Sequence, residues 1–140
     1  MKTQYLVNKE AARKLFEMST ASKFEGEVSI LARRWTDSYG NTYHHVYIDV
    51  LFPGESTYTS LTSTLVPQYG YEQQYNVTAQ HMWFNALAVG SGLEGDEAYG
   101  SASCSCKIAF ATSPYLTTYL GKIGITCDST AVDVKRKKDM

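Results

Sequence analysis

From Lys23 to Thr36 the chain alternates with period two. Val28, Ile30 and Ala32 fall on one side, and Ser29, Leu31, Arg33 and Trp35 on the other. That is the pattern of a strand with one face buried. Ser38-Tyr39-Gly40-Asn41 follows, with Gly and Asn able to take positive φ, and predicts a tight turn. From Thr42 to Phe52 the alternation is clearest. Val46, Ile48, Val50 and Phe52 point one way, and His45, Tyr47 and Asp49 the other. After the turn Phe52-Pro53-Gly54-Glu55, Ser56 to Val66 reads as a third strand, so the three form an antiparallel meander.

Helical spacing brackets this meander. Asn8 is placed to cap a helix over about residues 9–19, with Ala11, Leu15 and Met18 on one face and Glu10 four residues before Lys14. Pro67 to Tyr71 breaks the sheet. Asn76 then serves as the expected cap of a helix over about 77–89. Its stripe of Tyr75, Ala79, Met82, Trp83, Ala86 and Leu87 suits a helix lying across the sheet, and Gly90 and Gly92 end it.

The C-terminal third is less regular. Residues 90–103 (GSGLEGDEAYGSAS) read as a flexible connector. Cys104, Cys106, Ile108 and Phe110 alternate like a strand. Ser113-Pro114 starts a short helix that Gly121 ends. Ile123, Ile125 and Cys127 suggest a final strand, and Lys135-Arg136-Lys137-Lys138 a solvated tail. The expected fold is α+β: a three-stranded antiparallel meander packed by helices, with a C-terminal β-rich extension. Residues 1–92 form the α-β-β-β-α domain, 93–103 the connector, and 104–140 the extension with its basic tail.

Composition sharpens this picture at three points. Eleven tyrosines in 140 residues favour strands and supply amphipathic contact surface. Charge is balanced at −1. Residues 1–92 carry seven Lys/Arg against eight Asp/Glu, and 93–140 carry six against six, so neither part shows the basic excess of a general nucleic-acid binder. No apolar run reaches membrane-span or signal-peptide length, which points to a soluble protein of the cytoplasm. With no export signal, three cysteines do not suggest a disulfide framework.

Chemistry-bearing motifs are few. A serine elbow, phosphate loop, dinucleotide fingerprint, HExxH and EF-hand loop are all missing from the sequence, so no enzyme and no cofactor are expected. Cys104-x-Cys106 with Cys127 is the most metal-like feature, with His81 as a fourth ligand. Inert cysteines filling the core face of a strand are the plainer reading. His44 and His45 are adjacent on a strand and project to opposite faces. Pairing His45 with Asp49 catalytically is weak, since residues four apart on a strand lie roughly 13 Å apart. Arg33, Arg34 and Trp35 combine residue types enriched at binding hot spots, and also types that stack on bases or hold phosphate. The candidate binding set is Arg33, Arg34, Trp35, Tyr39, Tyr43, His45, Tyr47, Tyr69 and Tyr71.

Two likenesses bear on function. Ala32-Arg33-Arg34-Trp35 followed by Ser38-Tyr39-Gly40-Asn41-Thr42-Tyr43-His44, and Tyr69-Gly70-Tyr71-Glu72-Gln73-Gln74-Tyr75 followed by Thr78-Ala79, resemble motifs of small uncharacterised proteins of bacteriophages and mobile elements. The likeness covers about residues 24–88 and implies an accessory protein acting inside a bacterial host. The helix–meander–helix order is also similar to that of double-stranded-RNA-binding domains. The stretch Gln73 to Thr78, where that family places a Lys-rich grip on phosphates, has no Lys or Arg. The expectation is therefore non-catalytic binding, first to a host protein, for example as an inhibitor of host defence. The alternatives are a nucleic-acid-binding module and a nucleotide or small-molecule sponge.

Overall fold

The computed structural model describes residues 5–21 and 24–140. It is an α+β fold with the elements β1 (Tyr5–Val7), α1 (Lys9–Ala21), β2 (Glu27–Thr36), β3 (Thr42–Leu51), β4 (Thr59–Thr64), β5 (Gln68–Tyr69), α2 (Gln74–Gly90), α3 (Gly95–Ala109), α4 (Leu116–Lys122) and β6 (Thr126–Asp133). The start of the first long strand expected at Lys23 lies outside the described residues.

The meander is present. β2 and β3 pair antiparallel over their whole length, from Glu27 with Leu51 to Thr36 with Thr42, and β4 pairs antiparallel with the other edge of β3. The sheet extends beyond it on both sides, in the order β1-β4-β3-β2-β6, with β5 pairing the start of β3. β6 runs parallel to β2, which makes the sheet mixed.

One face of this sheet carries the core. Val28, Ile30, Ala32, Val46, Ile48, Val50 and Phe52 are buried beneath the helices, as their alternation requires. Between Ile48 and Asp49 the pairing with β4 slips by one residue, and Leu61, left without a partner in the register, is buried with Thr62. Above the sheet lie Ala11, Ala12 and Leu15 of α1 and Tyr75, Ala79, Met82, Trp83 and Ala86 of α2, all within one cluster. Asn8 caps α1 as expected, its Oδ1 accepting from the Ala11 amide at 3.1 Å. The two helices approach closely at Gly90, where a Cβ would run into the Ala12 carbonyl.

Four expectations need correction. Residues 95–109 are neither connector nor strand but the single helix α3. The alternating Cys104, Cys106, Ile108 and Phe110 do not mark its inner face, since Ile108 and Phe110 are 79% and 67% exposed. The buried residues are Ala98, Ala102 and Ala109, at helical spacing, and their small side chains let α3 pack on α2. Residues 104–140 therefore hold the end of α3, α4 and one strand rather than a β-rich extension, and that strand joins the first sheet.

Asn76 lies inside α2, buried, and caps a different helix. Its Oδ1 accepts from the Thr117 amide at 3.2 Å, in the first turn of α4, and its Nδ2 donates to the Thr117 hydroxyl at 2.8 Å. Ser113 accepts from the Tyr115 amide, and α4 begins two residues after Pro114. The basic run is exposed, but it does not trail into solvent: Met140 beyond it is buried. No described helix is long and apolar enough to cross a membrane.

Candidate binding face

Among the described residues no α-helix covers the opposite face of the sheet, where only a short 3-10 turn at Lys137–Asp139 approaches, and alternation delivers the candidate residues there. Arg33 pairs with His45, Trp35 with Tyr43 and Leu31 with Tyr47 across β2 and β3, while Tyr69 of β5 pairs with Tyr43. Side chains in such cross-strand pairs stand next to one another. The Trp35 and Tyr43 rings stack with centroids 6.0 Å apart. Tyr69 meets Tyr43 edge-on at 5.6 Å, and Tyr71 meets Tyr69 edge-on at 5.6 Å. The Arg33 guanidinium lies 5.8 Å from the Tyr47 ring centre, and His45 sits 6.4 Å from the same ring. The outcome is a row of four rings, Trp35, Tyr43, Tyr69 and Tyr71, with His45, Tyr47 and the Arg33 cation grouped on the same face.

Hydrogen bonds stiffen the rim of this row. The Asp37 carboxylate accepts from the Tyr39 and Asn41 amides, both at 2.9 Å, closing the hairpin turn around Gly40. Those amides, Asn41 foremost, hold the Asp37 carboxyl below its usual pKa. Tyr71 donates its hydroxyl to the Gly40 carbonyl at 3.1 Å and accepts from the Tyr69 hydroxyl at 3.1 Å. Tyr39 stands at the tip, 89% exposed.

Arg34 does not belong to this face. Being one residue out of phase with Arg33, it points to the helix side. There its Nε donates to Asp133 at 2.9 Å and its Nη1 to the Glu72 carbonyl at 3.1 Å. Glu72 is the one non-glycine with positive φ (50°) among the described residues, so Arg34 braces a strained turn and ties it to β6. The Arg-Arg-Trp cluster read from sequence is thus split across the sheet.

The two adjacent histidines divide as expected. His44 is fully buried and its Nε2 contacts the Thr78 hydroxyl at 2.9 Å. Burial lowers its pKa to about 4, with the neighbouring His45 and Arg34 adding to the effect against an opposing contribution from the Gly70 backbone. His45, half-buried on the ring face, bonds the Thr64 hydroxyl at 2.7 Å, and desolvation lowers its pKa as well. Asp49 lies further along the same face, its pKa raised by desolvation.

His81 is on the other side of the sheet and joins neither His45 nor Asp49. Its Nδ1 meets the Tyr5 hydroxyl at 2.9 Å and its Nε2 the Ser103 hydroxyl at 3.0 Å. A Ser-His-Tyr chain resembles a nucleophile with its base, but Ser103 donates back to the Tyr99 carbonyl at 3.2 Å. The assignment that satisfies every atom has Nε2–H donating to Ser103 and the Tyr5 O–H donating to Nδ1. With Nε2 already protonated, the imidazole cannot take the serine proton. The chain instead fastens β1 to α2 and α3.

The cysteines are dispersed and free. Cys104 is exposed and Cys106 half-buried on α3, so neither lies on a strand, whereas Cys127, half-buried on β6 beside Val28, does pack against the core from a strand. Burial raises Cys106 to about 11 and Cys127 to about 12. Among the described residues, no three His, Cys, Asp or Glu side chains are grouped to hold a metal ion.

Compared with protein-family models, with curated proteins and with solved structures, the chain has no match. Its functional reading rests on its own geometry.

One contribution to the face was not foreseen. After β6 the Val134 amide bonds the Arg34 carbonyl at 2.7 Å, and the chain then turns across the sheet until Met140 accepts from the Tyr47 hydroxyl at 2.8 Å. Lys135 to Lys138 are thereby held at the open face instead of drifting free. Only the parallel pairing of β6 with β2 puts them there, and no local sequence signal announces that pairing.

Proposed function

We propose that this protein works by non-catalytic binding and that the open sheet face is its contact surface. The observation that carries the reading is the set Arg33, Trp35, Tyr43, His45, Tyr47 and Tyr69 gathered on a face that no described α-helix covers. Tyrosine, tryptophan and arginine are the residues that give most energy per side chain at interfaces, since they combine area, rigidity and a polar handle. Their mutual contacts preorganise the surface, so little side-chain freedom is lost when a partner arrives. The likeness to phage accessory proteins supplies the setting within this proposal, a bacterial host cell in which a small chain occupies a host macromolecule.

The test is a capture experiment from bacterial lysate with the tagged chain and its Trp35→Ala and Tyr69→Ala variants, each with and without nuclease. Wild type should retain a stoichiometric partner that both variants lose. Equal retention by the variants would place binding elsewhere on the molecule and overturn the assignment.

A further inference from the structure

Resting on that reading of the open face, we infer that its occupant is single-stranded nucleic acid, with bases stacked along Trp35, Tyr43 and Tyr69 and phosphates held by Arg33 and the Lys135–Lys138 segment. The net charge of −1 conceals a polarised surface. At the hairpin end of the face lies Arg33, and the exposed Lys135, Lys137 and Lys138 are held at the same face by the bonds at Val134 and Met140. Arg136 is there too, but engaged with Asp139 at 3.0 Å. Glu27, Asp49 and Asp128 of this face lie at the other end, where Glu27 accepts from Tyr58. At the basic end Asp37 is engaged by the Tyr39 and Asn41 amides and Asp139 by Arg136, which leaves Arg33 and the three lysines in excess. Glu27 and Arg33 are six residues apart on one strand, which is about 20 Å. That exceeds the screening length of roughly 8 Å at physiological salt, so the basic end acts as a positive patch on a neutral molecule.

The rings define the form of the ligand. A base can lie on an aromatic side chain only if it is out of its own duplex stack, and sheet faces with exposed rings suit strands whose bases are splayed. Tyr69 and Tyr71 are 56% and 48% exposed, which leaves ring surface to be covered. Duplex recognition calls for an element that enters a groove, and here the rings lie along the sheet. A row of rings bordered by cations matches a strand of alternating bases and phosphates. An acidic protein segment would use the cations and leave most of the ring surface without a specific role.

Intrinsic fluorescence gives a direct readout. Of the two tryptophans, Trp83 is 2% exposed in the core, so a stacking ligand changes the signal of Trp35. The full chain is titrated with a 20-nucleotide single strand of DNA, the same in RNA, a 20-base-pair duplex and polyglutamate, at low salt and at tenfold higher salt. Single strands should quench Trp35. With four phosphates neutralised, tenfold salt should weaken binding by roughly 600-fold. Tyr43→Ala should weaken it by about 10-fold or more, and Lys135→Glu with Lys138→Glu should flatten the salt dependence. Tyr69→Ala, at a more exposed ring, serves if Tyr43→Ala fails to fold. No quenching by either single strand at low salt rejects the nucleic-acid occupant. If polyglutamate then quenches, the face binds acidic protein and the reading of the face survives. Tighter binding of the duplex overturns the single-strand assignment. Single-strand binding untouched by the ring and lysine variants sinks face and occupant together.

Discussion

Replacing His44 with glutamine should make the protein more resistant to mild acid. In the native state His44 is fully buried beneath the ring face, between β3 and the Thr78 turn of α2, and burial lowers its pKa from 6.5 to about 4. The unfolded chain therefore binds a proton on this residue at higher pH than the folded one, and stability falls as pH drops below 6.5. Linkage with those two values amounts to about 2 kcal/mol lost between about pH 7.5 and pH 5, and about 3 kcal/mol by about pH 4. Against the ~5–15 kcal/mol typical of a domain, that is a large share. Glutamine keeps a polar group able to bond Thr78 and does not titrate.

Urea unfolding of both proteins at a series of pH values isolates the effect. His45, His81 and Asp49 also have shifted pKa values, but they are common to both chains and cancel in the difference. The stability gap should move in favour of the variant by about 2 kcal/mol from about pH 7.5 to pH 5. Parallel curves, with the gap constant to within about 0.5 kcal/mol, would show that His44 is not held neutral by burial and refute the reasoning.

Three other perturbations test the packing and the rim. Gly90→Ala sets a helix-propensity gain of up to about 1 kcal/mol against a backbone contact with Ala12 that cannot yield, and a net loss of about 1–2 kcal/mol in chemical denaturation is expected. A thiol reagent near neutral pH should label exposed Cys104 first, with Cys106 and Cys127 slower because their pKa values are raised to about 11 and about 12. Equal rates for all three would contradict their placement. Asp37→Ala should loosen the hairpin tip, seen as faster amide exchange at Tyr39 and Asn41, while leaving exchange in β3 near Val46 unchanged. Because the folded Asp37 pKa is lowered, the wild-type tip should show the same loosening only as acid protonates the carboxylate below its ordinary value of 3.8.

The parts of this protein that were legible in sequence are those whose signal is local. The β2–β3 hairpin is written in uninterrupted alternation around Gly40 and Asn41, and register follows directly once the turn is placed. α1 carries its cap at Asn8 and its stripe at Ala11 and Leu15 within a few residues of one another. The ring face was accessible for the same reason. Trp35, Tyr43, His45 and Tyr47 follow from strand parity alone, and that parity also separates Arg34 from Arg33, which treating Arg33-Arg34-Trp35 as one cluster overlooked.

α3 escaped because its inner face is alanine. Ala98, Ala102 and Ala109 bury little area and barely register in a hydrophobic pattern, whereas the exposed Ile108 and Phe110 mimic a strand. Their use appears only once α2 supplies a surface close enough to need small residues. Asn76 misled in the same manner. Its cap type is local, but its partner, the Thr117 amide, is 41 residues away.

By itself the sequence determined the hairpin, the first helix and the apolar stripe of α2, because each rests on contacts within a turn or between adjacent strands. Tertiary structure alone decided that β6 lies parallel to β2 and that Lys135–Lys138 is held beside Arg33 and the rings. Parallel pairing needs a long connection, here β3 to β5 and the three helices α2 to α4, and its register depends on how these pack rather than on any residue in the strand.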